Sequence, residues 1–306
     1  MSIEIRPLAD VDVLAAERVF RLAFGTFLGV PDPLTFSGDC GYVHTRWRIE
    51  PRGAIAAFSG GELVGSNFAS RWGRFGFFGP LSVRPDLQDR GVARQLLDAT
   101  MRRFDDWGIG AAGLFTFPQS AKHIGLYLSY GFYPRFLTAV MAKAVGASAV
   151  LQPAACASML GAAQRESALA ACRALCDTLH AGLDLSGESH AAQVHGLGDT
   201  LLLYDGDALS GFAVCHVGPG TEAGSGVCYV KFGCVAAPAR RIALRDCWPC
   251  ASVLPRCAAR PRSSPARTRR ANRPTVPCWP RATARSFKAS PCRGPTPPGS
   301  VIPTHG

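Results

Sequence analysis

The residues with the clearest capacity for chemistry lie in "SVRPDLQDRGVARQLL", residues 82–97. An apolar run, "FFGPLSV", enters it, Pro85 bends the chain, a polar turn follows around Gly91, and an amphipathic segment leaves. The first-turn N–H groups of a helix have no intrahelical partner, and the helix dipole places positive potential at the same point. Backbone donors at Gln88, Asp89, Arg90, Gly91, Val92 and Ala93 therefore suit an anion such as a polyphosphate. Gly91 allows close backbone approach, Ala93 keeps the next position small, and Arg90 and Arg94 add charge. The same spacing also fits a plain strand-to-helix turn with an incidental glycine.

Several elements must position that turn. "IEIRPL" alternates as a strand, and Asp10 or Asp12 can cap a helix with Val13, Leu14, Val19, Leu22 and Ala23 on its apolar stripe, ending at Gly25. "GAIAAFSGGELVGSNFAS" reads as a hairpin turning on Ser59-Gly60-Gly61, and "GFFGPLSV" as the next strand. From Gly91 to Trp107 the spacing is helical, with Val92, Leu96, Leu97, Met101, Phe104 and Trp107 on one face. "AAGLFTF" is a buried strand. Ser120 caps a short helix carrying Ile124, Tyr127 and Leu128, Gly131 fits just past its end, and "FLTAVMAKAV" is a closing strand. The order is strand, helix, three strands, helix, strand, helix, strand: an α/β unit over residues 1–145.

A second unit, residues 146–235, begins with the helical pattern "MLGAAQRESALAACRALCDTLHAGLD" and continues with a hairpin, "DTLLLYDGDALSGFAVCHV", and a strand, "GVCYVKFGCV". "AIAAFSGGELVG" (54–65) and "TLLLYDGDALSG" (200–211) agree in apolar positions, turn and final glycine at an offset of 146 residues, the length of the first unit. This predicts a tandem repeat of one fold.

Charge separates body from tail. The formal net charge is +11, yet residues 1–235 hold 19 Lys/Arg against 21 Asp/Glu, while residues 236–306 hold 14 Lys/Arg, one acid (Asp246) and 13 of the 23 prolines. The slightly acidic body argues against nucleic acid as its partner, so a nucleic-acid reading rests on the tail alone. No apolar run is long enough for a transmembrane helix, and the N-terminus lacks a signal-peptide pattern, so a cytoplasmic protein is expected, without membrane partners. A disulfide framework is then not expected of the 12 cysteines, and most of those in the body, such as Cys215 and Cys228, are expected to be buried. A zinc knuckle from Cys247-x-x-Cys250 with Cys257 or Cys278 is incomplete, and no metal site is expected.

"VRPDLQDRGVARQLL" resembles the acetyl-CoA-binding motif of the GNAT (GCN5-related) N-acetyltransferases, Gln/Arg-x-x-Gly-x-Gly/Ala, matched by Gln88, Gly91 and Ala93 after Val83-Arg84-Pro85. "GLYLSYGFYP" is similar to the family's Leu-Tyr-x-x-x-Gly-Phe segment, here Leu126, Tyr127, Gly131 and Phe132. The resemblance implies a GNAT fold: a mixed, twisted sheet flanked by helices, splayed between the strand ending near Val83 and "GLFTF". After it, a partial second GNAT-like unit and a disordered basic tail are expected.

In the opening, pantetheine would pair with the exposed edge at Leu81 and Val83, and the pyrophosphate would sit on the amides of residues 88–93. A main-chain N–H near Val83 would meet the oxyanion, and Tyr127 would be the general acid, a phenol that keeps its proton at neutral pH. The alternative for Tyr127 is a ring packed in the core. The strand "FFGPLSV" has no carboxylate to act as base. Glu62 reads as a surface charge at a hairpin turn and His123 as a solvated helix residue. Arg and aromatic residues of "SRWGRFGFF" are candidates for lining the acceptor site.

The expected function is acetyl-CoA-dependent N-acetyltransfer to an amine, on a small molecule or a peptide. The rival is a non-catalytic acyl-CoA-binding or regulatory module. In the tail all apolar periodicity stops. Read one base out of frame, its codons admit "AYRAMLAPGY", similar to the Tyr-helix-Gly segment that the second unit lacks, so the tail reads as a frameshift product. An intact frame in close relatives, with no indel near codons 235–245, would sink that reading.

Overall fold

The computed structural model describes residues 2–138, 140–144, 154–236 and 284–289. β1 (Glu4–Pro7) leads into α1 (Val13–Phe27). α1 buries Val13, Ala16, Val19, Phe20 and Ala23, the first four of which pack with Phe58 and Phe68. Leu14, expected on that stripe, is 84% exposed, because Val13 and Ala16 set the buried direction and position 14 falls off it. The helix also continues through Gly25, where a Cβ would stand 2.5 Å from the carbonyl oxygen of Pro33. That glycine serves close backbone approach and not termination.

α2 (Tyr42–Ile49) was not expected. Its buried residues are Val43, Thr45 and Arg46, so no apolar period marks it. β2 (Ala54–Ser59) and β3 (Glu62–Trp72) form the expected hairpin, with Gly60 and Gly61 at φ 58° and 86°, the positive values that a tight hairpin turn requires. β4 (Phe75–Phe78) and β5 (Ser82–Val83) are separated by Gly79-Pro80. α3 (Val92–Asp106), β6 (Ala111–Thr116), α4 (Ala121–Leu128) and β7 (Phe132–Thr138) complete the unit. α3 buries Val92, Leu96, Leu97, Thr100 and Phe104, close to the predicted face. β7 starts and ends earlier than "FLTAVMAKAV", of which Ala139 and Val145 lie outside the described residues.

The second unit comprises β8 (Ala154–Cys156), α5 (Ala162–Asp177), α6 (Ser186–Val194), β9 (Gly198–Asp205), β10 (Ala208–Gly218) and β11 (Gly224–Val235). Its antiparallel sheet runs β8-β9-β10-β11, in the same sequence as β1-β2-β3-β4. Both hairpins carry a bulge at the corresponding place. In the first, Ala57 pairs Gly65 and Phe58 pairs Leu63; in the second, Leu203 pairs Gly211 and Tyr204 pairs Leu209.

β12 (Ala284–Ala289) lies between β6 and β7 in the first sheet, antiparallel to both. Six residues of the tail expected to be disordered are therefore a strand. A backbone can join a sheet through main-chain hydrogen bonds with little demand on sequence pattern, which is why composition did not mark it. The remaining tail residues, including Cys247, Cys250, Cys257 and Cys278, lie outside the described residues. The described cysteines are thiols and not disulfides; Cys156, Cys172, Cys176, Cys215 and Cys234 are buried as expected, while Cys40 and Cys228 are only half-buried. Among the described residues no helix is long and apolar enough to cross a membrane.

The units meet through a buried polar contact. Arg46 of α2 makes a two-point ion pair with Glu222, at 2.7 and 2.9 Å. Lys231 lies 2.9 Å from both Glu222 and Glu188, and the Trp72 indole donates to Glu188 at 2.9 Å. Gly41 N donates to Thr221 O, Gly220 N to Asp39 O, and Ser225 N to the Asp39 carboxylate. The turn before β11 thus holds the segment between α1 and α2. Breaking one partner of so buried a pair costs about 3–5 kcal/mol, because the other charge is stranded.

Candidate active site

The site begins where two parallel strands part. β4 and β6 pair through Phe75↔Ala111, Gly76↔Ala112 and Phe77↔Gly113, and their pairing ends there. The chain then passes through Gly79-Pro80 into β5, which pairs with β3 through Gly65↔Val83 and Ser66↔Ser82. Among the described residues β5 has no second neighbouring strand, so its other edge faces the opening. Val83 lies on this edge, and Leu81 directly precedes β5. Leu81 is half-buried, and the Val83 side chain packs with Leu87, Val92 and Leu96.

The turn after β5 presents its backbone. Gln88, Asp89, Arg90 and Gly91 are exposed, Ala93 is half-buried and Val92 is buried. Gly91 is the N-cap of α3 at φ 79°, with no side-chain cap on the first-turn N–H groups. A Cβ at Gly91 would meet nothing within 4 Å, so the glycine is there for its φ and the space in front of it is open. Asp89 also lies at positive φ, 63°. The Gln88 amide already donates to Pro85 O at 3.4 Å; the amides that follow it, uncapped at the helix N-terminus, fit the pyrophosphate of a coenzyme.

Side chains around the turn are arranged for charge balance. Lys122 of α4 meets the Asp89 carboxylate at 2.8 Å, which neutralises an anion beside the candidate anion site. Sequence reasoning missed Lys122; its place two residues after the capping Ser120 was the available signal. Gln88 Nε2 donates to Val83 O at 3.5 Å. Arg84 pairs with Asp86 at 2.8 Å and with Glu62 at 3.1 Å, so Glu62 is a surface charge, as expected.

α4 carries the candidate acid. Ser120 caps it by accepting from His123 N at 3.3 Å, worth about 1 kcal/mol. Tyr127 is 7% exposed and packs in a core with Leu97, Phe104, Leu114 and Phe132. Its ring centroid lies 5.9 Å from that of Phe78, the first residue of β4 beyond the last rung shared with β6. Burial pushes the Tyr127 phenol well above its ordinary range, so it holds its proton at any working pH. The same burial makes the ring part of the core, so the two readings of Tyr127 coexist at one residue.

Tyr130 is committed elsewhere. Its hydroxyl donates to Asp98 at 2.6 Å and lies 2.9 Å from Arg94 O, fastening α4 to α3. His123 is not the solvated residue expected. It is half-buried with its ring 5.0 Å from that of Phe27, and burial together with Lys122 lowers its pKa.

Comparisons with known proteins bear on the fold that carries this geometry. Residues 20–132 match the family described as acetyltransferase (GNAT) family. No curated protein matches the chain. Among solved structures, a candidate acetyltransferase from Pyrococcus horikoshii is 17% identical, covers 71% of this chain and 68% of its own, and has a TM-score of 0.52. The PaiA N-acetyltransferase of Thermoplasma acidophilum, solved with coenzyme A, is 19% identical over 44% of this chain and 92% of its own, at a TM-score of 0.36. A GNAT-family acetyltransferase of Brucella melitensis solved with acetyl-CoA is 18% identical over 43% and 83%, at 0.33. Of these only the Pyrococcus horikoshii likeness speaks for the fold, and at 17% identity for the fold alone. A parallel pair that splays after Phe77 and Gly113, followed by an uncapped glycine turn and a tyrosine helix, lies almost wholly inside the matched segment, and residues 20–132 are a domain of the GNAT family of acetyltransferases.

Proposed function

We propose that the chain is an acetyl-CoA-dependent N-acetyltransferase acting on an amine, through its first unit. The observation that carries this reading is the opening between β5 and β6, with uncapped amides at one end and Tyr127 beside Phe78 at the other. The coenzyme's phosphates are held by N–H groups of residues 89–93, with Arg90 nearby and Asp89 neutralised by Lys122. The free edge of β5 at Leu81 and Val83 offers main-chain groups to the extended pantetheine arm.

Bound there, acetyl-CoA supplies an acetyl thioester whose C–S bond breaks as the amine's N–C bond forms. Tyr127 holds a proton at its phenol oxygen for the departing sulfur, the proton shed by the amine passes to water, which restores the phenol's proton, and packing against Phe78 fixes where that oxygen can point. A main-chain N–H near Val83 meets the carbonyl oxygen.

The matching bulges and strand orders support a second unit that is a copy of the first, acting as a brace. Thiol release from acetyl-CoA in the presence of an amine panel tests the function. Acetyl-CoA binding without release for any amine would favour the non-catalytic module instead.

A further inference from the structure

Successive residues of a strand face opposite sides of the sheet. Phe78, Ala112 and Leu114 share a core with Tyr127 and Phe132, on the α4 side. Phe75 and Phe77 pack the other way, against a core built from Trp72 and the second unit's Phe212 and Val214. Phe77 and Phe78 therefore bracket the point where β4 and β6 part, from opposite faces. The α4 face is filled there, with Tyr127 and Phe78 buried. An acceptor reaching the same point has the Phe77 face left to it.

That face is aromatic. The Trp72 ring stacks on Phe77 at 5.0 Å and 9°, and the Arg46 guanidinium lies 5.8 Å from the Phe77 centroid. On the neighbouring strand Phe115 sits 5.4 Å from Phe77, tilted by 57°, and is 53% exposed. A large ring left half in water beside a reactive point has apolar surface to offer a ligand. The second unit closes this side, with Phe232 6.1 Å from Trp72.

The charges there are already balanced. Glu222 is taken by Arg46 and Lys231, and Glu188 by Lys231 and the Trp72 indole. A di- or polycationic acceptor needs a carboxylate for its distal ammonium groups, since an unpaired charge is costly away from water. Neither of these two is free to serve. An apolar group needs only the rings.

We propose that the acceptor is a monoamine bearing an aromatic group, seated against Phe77 and Phe115 on the face closed by the second unit, with Phe115 as the specificity-determining residue. This rests on the acetyltransfer reading.

The test uses the full chain, acetyl-CoA, and phenethylamine or spermidine as acceptor, reading thiol release. The expected kcat/KM for phenethylamine is about tenfold or more above that for spermidine, the value of burying a ring-sized apolar surface. Phe115→Ala raises the phenethylamine KM about tenfold with a smaller effect on kcat, and Phe115→Leu falls between. Because Phe115 is exposed, the folding of these variants is preserved, and a thermal melt checks it. Spermidine as the better substrate, or an unchanged phenethylamine KM in folded Phe115→Ala, overturns the inference and leaves acetyltransfer standing. Absence of release with any amine overturns the function and the inference together.

Discussion

The hairpins β2–β3 and β9–β10 have the same turn position and the same bulge, but the strands that leave them behave differently. After β3 the next strand breaks at Gly79-Pro80, leaves β6, and exposes backbone at β5 and at the turn before α3. After β10 the next strand stays paired from Gly218↔Gly224 to Gly211↔Val235, and its Lys231, with Glu222 of the preceding turn and Glu188 of α6, enters a buried contact. The first hairpin thus leads to exposed main-chain polar groups, and the second leads to buried side-chain polar groups. Substitutions in the first opening should change chemistry with little effect on stability, and those in the second the reverse.

The largest expected effect is at Tyr127. Phe keeps the ring and its packing, so Tyr127→Phe should keep the melting point and acetyl-CoA binding while turnover falls about 100- to 10,000-fold, as for loss of a positioned acid. Unchanged turnover would return Tyr127 to a purely structural role. In the second unit, Glu222→Gln leaves Arg46 and Lys231 with one carboxylate between them. Urea unfolding should show a loss of about 3–5 kcal/mol, with calorimetric acetyl-CoA affinity near wild type. A large affinity loss with intact stability would break the comparison.

Acid titration gives a smaller effect with a defined sign. His216 is fully buried, both ring nitrogens lack a hydrogen-bond partner among the described residues, and burial lowers its pKa to about 4. Between about 6.5 and 4 the unfolded chain binds a proton that the folded chain refuses. Stability is therefore full above 6.5 and falls as pH drops through that window, by about 3 kcal/mol. His216→Leu should flatten that slope in pH-dependent unfolding.

Burial opposes the charge on Glu222, but Arg46 and Lys231 overcome this and hold its pKa at about 2. Its contribution is present above the ordinary carboxylate range and is lost as pH falls through about 2. The smallest effect is at Gly91. A side chain at φ 79° costs about 1–2 kcal/mol, so Gly91→Ala should rotate the turn amides and weaken acetyl-CoA binding about tenfold. Unchanged affinity would show that these amides do not hold the phosphates.

Much of the first unit was legible because its signals are local. The Gly60-Gly61 turn, the α3 face and the Ser120 cap each depend on residues a few positions apart, and each is found where periodicity placed it. α2 was not legible, because Arg46 belongs in the interior only once Glu222, 176 positions later, is beside it. His123 was misjudged for a related reason: what covers it is Phe27, from another helix. Lys122 and Asp89 are 33 positions apart, and nothing in either neighbourhood announces their pairing.

The sequence by itself determined the α/β order of the first unit apart from α2, the glycine turn opening a helix, the tyrosine helix, and the likeness of the two hairpins. Each comes from backbone preference or from hydrophobic period along one segment. Only the tertiary structure decided that β4 and β6 part after Phe77 and Gly113, that Tyr127 sits at that parting, and that a second-unit turn clamps α2 over an aromatic face. Those are facts of strands and charges far apart in the chain. Their energies appear only when the fold brings the partners within a few ångströms and removes the water between them.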